Sequence, residues 1–93
     1  MASDDADGTI QVRDGTVTPA EVRDWVVEYL KWRWPNLPDD PEDLVTVVWL
    51  EVSKRGLNQS GYTKVELRCF VTQRAYWAAL DVYERFMRDA KGP

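Results

Sequence analysis

The sequence predicts an all-α domain: a compact bundle of three main helices, at about residues 19–34, 41–55 and 64–89, behind an extended N-terminal arm. Three observations predict it. Thr18-Pro19-Ala20-Glu21 and Thr63-Lys64-Val65-Glu66 are both capping boxes, in which a hydroxyl and a carboxylate satisfy two of the N–H groups that a helix start leaves unpaired. Asp40-Pro41-Glu42-Asp43 is a third opening, with an N-cap carboxylate, a proline where no N–H is needed, and two acids favoured by the helix dipole. After each opening, apolar residues recur at helical spacing.

Residues 1–8 are small and acidic with nothing to bury, which predicts a disordered tail ahead of a single domain over 9–93. Thr9 to Val17 places Ile10, Val12 and Val17 around Asp14-Gly15, the pattern of a short hairpin or an ordered arm packed on the body. In the first helix Val22, Trp25, Val26, Tyr29 and Leu30 share one face, while Glu21, Arg23, Asp24, Glu28 and Lys31 take most other positions. It should stop near Trp34, because Pro35 disfavours helical geometry in the residue before it.

The second helix begins at Asp40, with Val45, Val48, Trp49 and Val52 as its stripe and Leu44 and Val47 widening it. Gly56, after Lys54 and Arg55, supplies the stop. The third would place Leu67, Phe70, Val71, Ala75, Ala78, Val82 and Phe86 inward over a length of about 39 Å, at ~1.5 Å per residue. A competing α-β-β-α reading exists. Leu44–Val52 is rich in β-branched residues, and Val65, Leu67, Cys69 and Val71 alternate with mostly polar neighbours, so a hairpin could turn at Gly56–Gly61. The helix openings favour the bundle.

Composition narrows the function. A chain of 93 residues makes one small domain, and a net charge of -4 argues against charge-driven, non-specific binding to duplex DNA or anionic membrane. Without histidine, Ser-His-Asp and Cys-His catalysis and His-ligated metals are excluded; the expectation is no enzyme, no cofactor and no metal. The lone Cys69 cannot form an internal disulfide, fits a reducing compartment, and reads as a small core hydrophobe. No apolar run approaches the ~18 residues of a membrane span and no signal pattern opens the chain, so a cytoplasmic location without membrane partners is expected. Of the five Trp, Trp25 and Trp49 sit on the apolar stripes, whereas Trp32, Trp34 and Trp77 fit less well and are equally candidates for an interface.

Two motifs carry a functional expectation. Asp40, Glu42, Asp43, Leu44 and Val45, followed by Trp49-Leu50, precede a loop and then Leu67, Arg68, Phe70, Val71, Ala75, Ala79, Leu80 and Asp81. In order and spacing, over about residues 19–88, this resembles region two of bacterial sigma factors, especially the extracytoplasmic-function type. The resemblance implies a sigma-factor-like transcription protein. Asp40, Glu42, Asp43, Thr46, Trp49 and Leu50 would bind the clamp helices of RNA polymerase core. The loop 58–63 and the start of the last helix would face the single-stranded promoter, with Lys64, Arg68 and Arg74 as cations and Tyr62, Tyr76 and Trp77 as stacking platforms.

The chain departs from the family pattern at Thr46 and Val47, where Gln and Glu are usual, at Trp77, where Asn is common, and at Glu84 and Asp89, which interrupt Arg85 and Arg88. With no second helical domain in the sequence, the implied role is an accessory factor or mimic. The alternative is a phage- or plasmid-type protein interaction or assembly module without nucleic-acid binding, homo-oligomers included. Glu42 and Asp43 also have a plain role in stabilising the helix dipole, and Arg74, on the inward stripe, equally suggests a buried Asp or Glu partner.

Overall fold

The structure, a computed structural model, describes residues 8–91. The expectation of a disordered tail over 1–8 therefore lies, except for Gly8, outside the described residues. The elements in order are β1 (Ile10–Val12), β2 (Gly15–Val17), α1 (Pro19–Arg33), α2 (Pro41–Lys54), β3 (Asn58–Gln59) and α3 (Lys64–Lys91). Three helices dominate, as expected. Leu44–Val52 and Lys64–Thr72 are helical, so the hairpin alternative for these spans does not occur.

The helix starts follow the sequence chemistry. Glu21 N donates to Thr18 Oγ1 (3.2 Å) while Thr18 N donates to Glu21 Oε1 (3.1 Å). Thr63 and Glu66 repeat the exchange at 3.2 and 2.8 Å. Asp40 Oδ1 accepts from Glu42 N at 3.0 Å. Gly56, with φ of 94°, reverses the chain after α2, in the left-handed region that costs glycine nothing.

An all-α class does not cover the small three-stranded sheet, ordered β2-β1-β3. β1 pairs antiparallel with β2, Ile10 opposite Val17, and parallel with β3, Gln11 opposite Asn58. This sheet stitches the N-terminal arm to the loop between α2 and α3. Gln11 N donates to Leu57 O (2.8 Å) and Arg13 N to Tyr62 O (2.7 Å), and Lys64 N donates to Asp14 Oδ1 (2.8 Å). The last of these sets a carboxylate against the N-terminus of α3, where its charge is favourable.

The core is built from rows at four-residue spacing: Val22, Val26 and Leu30 of α1, Leu44, Val48 and Val52 of α2, and Leu67, Val71, Ala75 and Ala79 of α3. Such rows are ridges along which helices commonly interdigitate, and the two alanines let α3 be approached closely. Ile10, Val12 and Val17 complete the core from the sheet.

Three inward assignments are corrected. Val47 and Phe86 are exposed, and Cys69 is exposed rather than core. Val47 falls outside because the α2 stripe centres on Leu44, Val48 and Val52, with Val45 and Trp49 on one flank. Phe86 is exposed because α3, with 28 residues, outruns α1 with 15 and α2 with 14, so that near its end it borders an open hollow with Pro38 and Asp39 of the connector instead of a packed helix. Among the described residues, no helix is long and apolar enough to cross a membrane.

Candidate functional site

The helical phase of α2 divides the six residues of the expected docking set. Asp40 is occupied in capping the helix. Glu42 turns toward α1, where its carboxylate accepts from both Arg23 Nε (3.0 Å) and Arg23 Nη2. That hydrogen bond and the charge behind it push the Arg23 guanidinium above its already high value. Trp49 is partly buried on the same side, lining an apolar hollow with Pro19, Ala20, Arg23 and Val45. A Cβ on Gly8 would come within 3.2 Å of the Trp49 ring, so the arm also passes close to this indole.

The other three residues stay together on the outside. Asp43, Thr46 and Leu50 are exposed, and Val47 joins them at the i, i+3, i+4, i+7 spacing of one helix face. Val47 is 45% and Leu50 55% exposed. The strip therefore runs from a carboxylate at the helix start through a hydroxyl to two branched aliphatics. Among the described residues the fold leaves Val47 and Leu50 open to solvent.

The expected nucleic-acid set is dispersed. Lys64 is held by Glu21 (3.5 Å) and Tyr62 is partly buried against the core. Arg68 faces α1, where it lines a hollow with Trp25, Glu28, Tyr29, Trp32 and Thr72. Arg74 faces the other way, toward the end of α2. Its ring partner is Phe70, 5.3 Å from the guanidinium carbon, and Arg55 lies 4.6 Å from the same ring. The carboxylate partner expected for Arg74 is not there; among the described residues Arg74 makes no ion pair, and its buried Nε has no hydrogen-bond partner.

Only Tyr76 and Trp77 are brought together, edge to face at 5.3 Å, with Trp77 exposed. Tyr76 continues into a ring cluster with Trp34 (5.9 Å), which in turn meets Tyr83 (5.7 Å), and Arg33 lies over Trp34 at 5.2 Å. This cluster fastens the connector after α1 to α3. Burial pushes the nearby Tyr29 phenol above its ordinary value, against the opposing pull of Arg33.

Sequence reasoning missed Arg55 and assigned Phe70 only to the core. Phe70 and Arg74 at i, i+4 carried a signal for their contact, since residues four apart stack on one helix face. Arg55 carried none, because its approach depends on how α2 packs beside α3. No family of known proteins matches the chain, and neither a curated protein nor a solved structure is similar enough to be recognised.

Proposed function

We propose that this chain is a non-enzymatic transcription accessory protein of the sigma-region-two kind, which docks on RNA polymerase core through the outer face of α2. The observation that carries the reading is the exposed strip Asp43, Thr46, Val47 and Leu50, separate from the row that holds the bundle. The two aliphatics supply an apolar anchor whose burial drives association, and Asp43 at its rim steers the face toward basic groups on the polymerase clamp helices. The exposed Trp77 beside Tyr76 supports the accompanying contact with an unpaired promoter base, a stack worth roughly 1–3 kcal/mol.

Capture of core polymerase on tagged full-length chain tests the proposal. Retention that Leu50→Asp abolishes and Asp43→Asn weakens most at low salt is the expected result. Absence of retention, while a control sigma domain is retained, removes it. A second reading, an assembly module binding protein or its own copies, is favoured by Phe86 and Met87, exposed on the part of α3 that overhangs the bundle. A stable oligomer in light scattering without polymerase capture would select that reading instead.

A further inference from the structure

We infer that Arg55 and Arg74, gathered on the ring of Phe70, form a binding site for a phosphate-type oxyanion. The residues come from two helices. Arg55 closes α2, and its backbone is fixed there: Gln59 Nε2 donates to Arg55 O at 3.3 Å and to Gly56 O at 2.7 Å. Arg74 projects from α3 one turn after Phe70. The two guanidinium carbons lie 4.6 and 5.3 Å from the Phe70 ring centroid, within the range where a cation is attracted to an aromatic face.

Both cations lie against one ring, and among the described residues the fold brings no carboxylate within ion-pair distance of either. Among the described residues they share that state with Arg13, Lys31, Arg33, Arg68 and Arg88; what sets these two apart is their common ring. Carboxylates are not scarce, since the chain holds 16 acidic residues against 12 basic ones. Glu51, one helical turn before Arg55, is turned instead to Lys54 (3.9 Å). Arg74 adds an independent sign: its Nε is buried and donates to nothing. A buried donor left unpaired by the described residues, as Trp34 Nε1 also is, calls for an acceptor from outside them, a water or an anion.

The geometry selects the class of acceptor. Two guanidiniums present planar forks of N–H donors, and both lie within cation–π range of Phe70 before any ligand arrives. A phosphate group offers several oxygens around one centre, so it can accept from more than one N–H fork and carries the charge that either guanidinium lacks. The site lies at the far end of α2 from Asp43, about 18 Å away at ~1.5 Å per residue, so it stands independently of polymerase docking.

The test is a titration of the full-length chain at constant ionic strength, following the Arg Nε–Hε signals by NMR. One arm uses inorganic phosphate and the other a short single-stranded oligodeoxynucleotide. A saturable shift of the Arg74 signal is expected, with binding weakened at least about tenfold in Arg55→Gln and in Arg74→Gln, a loss readily resolved. Arg88→Gln, an exposed guanidinium on the overhang of α3, should bind as the parent does. Binding of the oligodeoxynucleotide more than about tenfold tighter than phosphate identifies a nucleic-acid backbone as the source; equal binding identifies a small phosphate compound. Arg55 is exposed, so Arg55→Gln keeps the experiment decisive if Arg74→Gln does not fold. No saturable response up to about 10 mM of either probe, or a response unchanged in the Arg55→Gln protein, overturns the inference.

Discussion

Val47 and Val48 are the same residue at consecutive positions of α2, yet one is 45% exposed and the other has no exposure at all. Glu42 and Asp43 form a second such pair, the first drawn to Arg23 and the second facing outward. Residue type therefore says little about which side of this helix holds the fold and which side is free for a partner. Helical phase decides it. Each step along the helix turns the side chain by about a quarter to a third of a circle, given 3.6 residues per turn.

The strongest way to break this comparison is to put the same charge at both positions. Val48→Asp buries a carboxylate in the apolar core, where among the described residues no buried side chain is polar or charged. The loss should exceed about 4 kcal/mol, a large part of what a small domain has to lose. Val47→Asp should change stability by no more than about 0.5 kcal/mol. Urea denaturation of the two proteins reads the difference directly, and equal destabilisation would show the phase of α2 to be wrong. Polymerase capture should respond to Val47→Asp in a protein that is still folded.

A second comparison sharpens the first along α3. Leu67 is fully buried near its start and Phe86 is 50% exposed near its end, although the apolar pattern of the sequence assigns both inward. Leu67→Ala should cost about 2–5 kcal/mol and Phe86→Ala less than about 0.5 kcal/mol. Thermal unfolding of the pair measures how far the bundle supports α3. A large loss from Phe86→Ala would mean that the overhang packs against something after all.

These contrasts mark what the sequence could convey. Helix starts were legible because capping is local chemistry: Thr18 with Glu21, Thr63 with Glu66, and Asp40 with Glu42 N all form as their spacing requires. The stop at Gly56 was legible for the same reason. The phase of α2 was not, because Leu44, Val45, Val47, Val48, Trp49, Leu50 and Val52 are all apolar and fit more than one stripe. Nor was β3, two polar residues whose pairing with β1 is set by contacts more than forty positions away in the chain. The grouping of Arg55 with Arg74 failed for this reason too, since it depends on tertiary packing. The outer strip of α2 is half legible: the sequence motif contains Asp43, Thr46 and Leu50, but it also contains Trp49, which faces α1.

Exposure alone does not make a residue dispensable, and Thr18 tests that limit. It lies on the surface, but its hydroxyl accepts from Glu21 N at the start of α1. Thr18→Ala should cost about 1 kcal/mol, more than Val47→Asp and less than Leu67→Ala. Thr63→Ala removes the matching bond from α3, where the Asp14 carboxylate still holds Lys64 N. The smaller of the two losses is therefore expected at Thr63. Guanidinium unfolding curves for the two variants would decide it, and a larger loss at Thr63 would rule out support from Asp14.

Tyr29 stands between the buried and exposed classes, and its titration gives the finest of these measurements. Burial raises its phenol above the ordinary value near 10. Above that pH the unfolded chain releases the Tyr29 proton while the folded chain still holds it. The unfolded state then binds fewer protons, so stability falls as pH rises through this window; below about pH 10 both states keep the proton and the phenol contributes no slope. Tyr29→Phe removes the group that titrates and leaves the ring against the core. Its stability should decline less steeply than the parent's as pH rises above about 10, with the two proteins parallel near pH 8. Urea midpoints across that range make the comparison, and identical alkaline slopes would place the Tyr29 hydroxyl in water.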